Sequence, residues 1–307
     1  MAVALFKNIK KFHSYAWLTL GFCIAVILWG AYVRATGSGA GCGSHWPLCN
    51  GEVLPSQASN KTLIEFSHRI SSGLSLLSVV WLFFWARKIF PAGNFVRKAV
   101  NISLVAMIAE AAIGAGLVLL KLVEHDESIQ RVVSIALHLV NTMFLVAALT
   151  ITAEASNIEN PRWKIPHIPT RRIANLFLAG FLLLAALGAM TALGDTLFKP
   201  LSLTAGLKAD WHQDSHITER LRIFHPLLAV AWVFLLVPWF LGLKERIPEI
   251  SSRTWIALGI AALNLCLGTL NVILLAPVWL QMLHLLVANI LWISFIRVLF
   301  FAASKWR

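Results

Sequence analysis

Four histidines of this chain, His68, His138, His225 and His284, stand inside long apolar runs, where a polar side chain is expensive and is by default a functional residue. They fall on the second, fourth, sixth and eighth of these runs, each within two turns of the same end. An imidazole at that depth either joins helices as a neutral hydrogen-bonding group or ligates something. Four at matched depth favour ligation, and two imidazoles on facing helices of a four-helix bundle suit bis-histidine haem ligation. A zinc site would want a third or fourth ligand nearby, and no HxxxH or CxxC pair stands at these positions. Glu65 precedes His68 by three positions, so its carboxylate shares that helix face at about 5–6 Å between Cβ atoms. The matching position beside His225 is Arg222, so the carboxylate occurs once. That asymmetry points to one site for chemistry and another for holding a cofactor. An interface ion pair of Glu65 with Arg69 or Arg34 is the competing reading.

These residues need helices to carry them, and the composition supplies little else. The chain has 307 residues, 58% hydrophobic and 13% charged, with a mean hydropathy of +0.75; a soluble domain carries about 25% charged residues. Eight spans are predicted at about 15–36, 64–88, 97–120, 131–154, 172–194, 219–243, 254–275 and 279–302, each long enough to cross a hydrocarbon core of ~30 Å. The first is too long for a cleaved signal and is read as retained. The net charge of +12 does not indicate nucleic acid, because the basic residues gather on alternate connections. Arg87, Lys88, Arg97 and Lys98, then Arg162, Lys164, Arg171 and Arg172, then Lys244, Arg246 and Arg253 mark one side. With Lys7, Lys10, Lys11, Lys305 and Arg307, this puts both termini in the cytoplasm. The opposite connections (37–63, 121–130, 195–218, 276–278) hold Glu52, Glu124, Asp126, Glu127, Asp195, Asp210 and Asp214.

The segment from Asn157 to Thr170, with Pro161, Pro166 and Pro169, reads as a cytoplasmic linker between two four-helix halves, 1–156 and 171–307. Four short stretches match in order between the halves. Gly30-AYVRATGSG aligns with Gly188-AMTALGD, and Glu65-FSH-Arg69 with Arg222-IFH-Pro226. Glu110-AAIG-Ala115 aligns with Asn264-LCLG-Thr269, and Leu137-HLV-Asn141 with Leu283-HLL-Val287. Both halves start inside, so a duplication would be related by an axis along the membrane normal. The expected fold is therefore an all-α polytopic membrane protein, eight transmembrane helices in two pseudo-symmetric four-helix bundles.

Arg34, Arg69, Arg131, Arg220 and Arg222 lie near the outer interface, at the depth where haem propionates would sit; snorkelling to lipid headgroups explains any single one equally. Glu110, near the bilayer centre, reads as an interhelical polar contact. His13 and His167 are placed on the cytoplasmic side, and His125, His212 and His216 in outer loops, none with a site role; His45 is left open. The loop Thr36-GSGAGCGSHWPLCNG-Glu52 carries Cys42 and Cys49 on the side where disulfides persist. Closing so short a loop stabilises by roughly 2–3 kcal/mol, and a staple over the first-half site or a redox pair are both open readings. Cys23 and Cys266 are expected as buried apolar fillers.

Val33-RATGSGAGCGSHWPLCNG-Glu52 followed by Ile64-EFSHR-Ile70 resembles the haem A synthase family of bacteria and mitochondria, and the resemblance covers essentially the whole chain. It implies oxidation of the C8 methyl of haem O, through a hydroxymethyl intermediate, to the formyl of haem A, with water as the oxygen source. It implies His68 and His138 as axial ligands of the substrate haem, Glu65 beside the reacting methyl, and His225 and His284 as ligands of a haem b cofactor. Cys42 and Cys49 match the family's first-loop cysteine pair. The implied partners are a haem O synthase that delivers substrate, a terminal oxidase under assembly that receives haem A, membrane lipid, and room for a homo-oligomer, in the inner membrane. Two departures stand out: 195–218 has no second cysteine pair, and the family's His-Arg is His225-Pro226 here. Glu65 would either stabilise positive charge at the methyl carbon or act as general base toward water. A di-haem b electron-transfer protein, quinone-linked, is the alternative, and a transporter built from parallel repeats a third class.

Overall fold

A computed structural model of the chain describes residues 2–56, 58–159, 161, 163 and 168–305. Among these, eight helices are long and apolar enough to cross a membrane, and the protein is an integral membrane protein of all-α class. The spanning helices are α1 (Ala2–Ala35), α2 (Asn60–Ile89), α3 (Phe95–Leu119), α4 (Ile129–Ser156) and α5 (Ile168–Leu197). A short helix α6 (Leu203–Trp211) lies in the connection between the fifth and sixth spans. The sixth span is split into α7 (Ile217–Arg220) and α8 (Phe224–Arg246), followed by α9 (Ser251–Ile273) and α10 (Val278–Lys305).

Helix starts follow local chemistry. Ser59 accepts from the Thr62 N–H at the head of α2, Asn94 from Val96 at α3, and Ser128 from Arg131 at α4, each satisfying a donor that the first turn leaves open. The break before α8 has its cause in Pro226. A proline has no N–H to give Arg222 and its ring crowds that carbonyl, so the helix cannot run through and restarts with Pro226 in its first turn. The predicted spans lie within the observed helices to within a few residues, whereas α6 was not expected. The connection after α4 begins at Asn157 as expected and ends sooner, because α5 already starts at Ile168. Arg162, Lys164, Pro166, His167 and Arg307 lie outside the described residues.

Helix α1 packs on α2 and α4, and α3 on α4; α5 packs on α8, and α9 on α10. The two sets meet where α4 touches α5 and α10, and where α1 touches α10. This arrangement is compatible with two four-helix units. Their seam is aromatic. Trp292 is buried, stacks on Phe181 with ring centres 4.5 Å apart, and donates its indole N–H to the Met143 carbonyl at 2.8 Å. Arg297 of α10 pairs with Glu154 of α4 at one end of the seam. At the other, Arg34 of α1 donates to the Ala192 carbonyl, to Thr196 and to Gln281. Large side chains such as Leu176, Phe234 and Trp81 are exposed on the bundle exterior, as lipid-facing positions require. Cys23 is buried as expected, and Cys266 is not. The buried face of α9 runs through Thr254, Ala257 and Ala261, and the 100° helical step turns Cys266 away from it.

Replacing Trp292 with alanine empties the centre of this seam. We expect a loss of about 3–5 kcal/mol, read as a clearly lower thermal midpoint of the detergent-solubilised protein. An unchanged midpoint would show that the two sets of spans hold together without it.

Candidate functional site

A single apolar cavity of about 980 Å³ runs between the spans, and His68, His138, His225 and His284 all line it. Each ring packs against a glycine on the span before it. A methyl group built on Gly30 of α1 would lie 2.8 Å from the His68 ring, and one on Gly188 of α5 would lie 3.0 Å from His225. Gly268 of α9 stands in the same relation to His284 at 3.2 Å, and Gly114 of α3 to His138 at 3.7 Å. These glycines occupy equivalent places in the two sequence matches that contain them. At Gly30, Gly188 and Gly268 a side chain would press into the imidazole, so the bare backbone makes the room each ring needs.

The four rings suit an iron-porphyrin better than a helix-joining role. In each, Nδ1 is buried with no hydrogen-bond partner, whereas histidines that merely tie helices together use their ring nitrogens for that purpose. His13 and His216 do so, bonding Ala153 O and Ser156, and Glu127 O and Thr218, respectively. A metal between two imidazole nitrogens at about 2.0–2.1 Å from each sets the ring centres about 6 Å apart. The His225 and His284 rings are 6.4 Å apart with planes at 88°. His68 and His138 line the same cavity, each seated on a glycine as the second pair is. The His225–His284 spacing therefore fits a bis-histidine site, and the first pair has the same glycine-backed seating on the cavity. Among the described residues no group of three or more His, Cys, Asp or Glu could hold a bare metal ion.

Glu65 is buried and also lines the cavity. One oxygen accepts the backbone N–H of Cys42 at 2.8 Å and the other takes the Arg69 guanidinium, so the ion pair expected as the competing reading is present. Arg69 reaches further, to the carbonyls of His45 and Leu48 at 2.6 and 2.7 Å. Those carbonyls belong to the loop closed by the Cys42–Cys49 disulfide, whose Trp46 and Pro47 also line the cavity. Two residues of α2, one helical turn apart, thus hold the loop down over the first pair of histidines. With an arginine and a backbone N–H on it, a carboxylate can carry negative charge beside an apolar cavity.

Arg34, Arg131 and Arg222 are also engaged by protein oxygens. Arg131 donates to the Glu124 and Asp126 carbonyls. Arg222 pairs with Asp195, Asp210 and Glu219, the reverse of the charge arrangement at Glu65. Asp210 lies outside the spans; burial pushes its carboxyl above the ordinary range while Arg222 pulls it back. Arg34, Arg69, Arg131 and Arg222 line the cavity, and Arg220 does not. Glu110 accepts from Asn141 at 2.6 Å and from Thr142, both on α4, the interhelical contact expected of it. Sequence reasoning missed the glycines and the Cys42 amide. The glycines were visible in the repeat matches, as the residue kept while its neighbours changed.

The sequence is similar to those of known proteins. The family model described as cytochrome oxidase assembly protein, COX15-CtaA, matches residues 13–296. The chain belongs to that family. It is 42% identical over 291 residues, 94% of its length, to a protein of Thermus thermophilus named protoheme IX farnesyltransferase, and this covers 48% of that relative. Proteins named heme A synthase match over shorter stretches. The one from Alkalihalophilus pseudofirmus is 37% identical over 144 residues, 47% of this chain and 46% of the relative, and that from Staphylococcus haemolyticus 42% over 113 residues, 37% and 36%. The chain spans about half, or less, of the curated relatives it matches.

Arg69→Ala removes the anchor of two loop carbonyls. Losing one net charge-assisted bond of ~1.4 kcal/mol should raise loop opening about tenfold. The expected readout is a comparable acceleration of Cys42–Cys49 reduction by a membrane-impermeant phosphine. An unchanged rate would show that the loop is held by its own packing.

Proposed function

We propose that this chain is a haem A synthase, which oxidises the C8 methyl of haem O by way of a hydroxymethyl intermediate to the formyl of haem A. The observation that carries the reading is the asymmetry of the cavity. Two equivalent imidazole pairs face it, and a carboxylate clamped beneath a disulfide-closed loop stands beside only one. Two relatives bear the name of this activity. The Thermus relative, about twice as long, bears the name of a haem-farnesylating enzyme, and the half of it that this chain does not span is free to account for that name. Its joining of the two stretches in one polypeptide supports a haem O synthase as the neighbour that delivers substrate. The product would pass to a terminal oxidase under assembly.

In this reading His68 and His138 hold the substrate haem, and His225 and His284 hold a haem b, which supplies one-electron redox capacity when bound. Each oxidation of the methyl carbon removes two electrons and two protons, water supplies the oxygen in the first, and the four electrons would leave one at a time by way of the His225–His284 site to an external electron acceptor. Glu65 presents a carboxylate where the carbon becomes electron-poor, inside a cavity that strengthens every charge interaction. Its alternative task is to accept the proton of the attacking water. Arg69 fixes the carboxylate's position, and the loop of Trp46 and Pro47 keeps bulk water off the site. Arg34 and Arg131, which line the cavity at its outer end, are the arginines best placed for propionates. Arg222 is committed to three carboxylates and Arg220 stands outside. Both termini lie in the cytoplasm of an inner-membrane protein, which places the disulfide-closed loop in the compartment where such bonds persist.

The test is expression with a haem O synthase in a host that lacks haem A, followed by extraction and separation of the haems. We expect haem A or its hydroxymethyl precursor, with yield falling about 10²–10³-fold in Glu65→Gln. Full conversion by that variant would remove Glu65 from the chemistry. Only haems B and O from the unaltered chain would transfer the reading to a di-haem electron carrier.

A further inference from the structure

The two histidine pairs are built alike except in what stands behind one ring of each. His138 on α4 and His284 on α10 hold equivalent places, packed on Gly114 and Gly268 respectively. Four residues before each glycine, on the helix face one turn away, stand Glu110 and Asn264. Glu110 Oε1 lies 3.5 Å from His138 Nδ1, a buried nitrogen that has no hydrogen-bond partner among the described residues. Beside His284 the equivalent position holds no carboxylate: its Nδ1 is unpartnered, and the Asn264 side-chain oxygen is buried and unpartnered as well. Thr142 and Asn141, on the same helix as His138, both donate to Glu110 and hold its carboxylate beside that ring.

We infer that Glu110 is a positioning residue that accepts the Nδ1 proton of His138 and makes it a stronger donor to iron than His284, so that the two haem sites differ in reduction potential. The inference rests on the reading that His138 ligates a haem through its other ring nitrogen. A ligating imidazole carries its proton on the free nitrogen and donates it to an acceptor, which sets both ring orientation and basicity. A carboxylate draws that proton more strongly than an amide carbonyl does, and so pushes electron density toward the metal. Greater density on the ligand stabilises the oxidised iron and lowers the potential of that haem, a hydrogen-bonding lever that needs no change of axial residue. A repeat can thereby give two sites with the same ligands different tasks. The contact of Glu110 with Thr142 and Asn141, read alone, is an ordinary interhelical tie; the unpartnered His138 nitrogen gives it a second role.

The experiment is redox titration of the purified, haem-loaded protein, following each haem by its visible spectrum. Glu110→Gln should raise the potential of the haem held by His138 by about a tenfold change in its reduction equilibrium, 59 mV for one electron, and leave the other haem unmoved. Asn264→Asp should lower the potential of the haem held by His284 and leave the first unmoved. A purely structural tie would shift stability but neither potential. If Glu110→Gln keeps both haems low-spin and neither potential moves in either variant, the inference is overturned while the ligand assignment stands. If His138→Ala leaves both haem spectra unchanged, the ligand assignment itself falls, and the inference with it.

Discussion

An imidazole inside a membrane-spanning bundle needs room, and in this chain the room comes from glycine on the preceding span. Helices packed around large apolar side chains leave no slot for a ring beside the backbone. Gly30, Gly188 and Gly268 open that slot because a Cβ there would stand 3.2 Å or less from the histidine ring; Gly114, at 3.7 Å, allows more slack. Once the rings are seated, the cavity follows, since four polar groups turned inward cannot be covered by apolar side chains without cost. The rest of the architecture keeps the four glycine–histidine pairs in place. Trp292, backed by Phe181, bonds across the seam to the Met143 carbonyl, and Arg34 and Arg297 tie its ends.

On that common plan the two sets of spans diverge in charge. The first carries Glu65 with Arg69 on top, and the second carries Arg222 ringed by Asp195, Asp210 and Glu219. In the first, the charged pair extends into the outer loop through the Cys42 amide and two carbonyls. The disulfide, the loop and the carboxylate therefore form one mechanical unit. In the second, the acids arrive from α5, α6 and α7, and the connection 195–218 carries no cysteine. Glu110 and Asn264 repeat the same theme one turn deeper.

Much of this was legible in the residues. Apolar runs of the right length fixed the eight spans, because in lipid the backbone has few alternatives to a helix. The matched depths of His68, His138, His225 and His284 pointed to ligation, and Glu65 stood out because it lacked a counterpart. What stayed hidden depends on packing. No periodicity says that Cys266 faces outward, since α9 is apolar on every side. The helix α6 is short and lies in a connection read only for its charges. The Cys42 amide carries no side-chain signal, and the break before α8 depends on which carbonyl Pro226 would have met. The arginines near the span ends could be placed in depth from sequence, but only the geometry separates Arg222, held by three carboxylates, from Arg34 and Arg131, which donate to carbonyls and neutral side chains.

The claim at the centre is that four histidines make two independent haem sites. It is tested most directly by counting haems on the purified protein after each single histidine is replaced by alanine. The account predicts two low-spin haems on the unaltered chain. His68→Ala and His138→Ala should perturb the same haem and spare the other, and His225→Ala and His284→Ala should do the converse. Spectra that change in the crossed combinations, or that do not change at all, would contradict it.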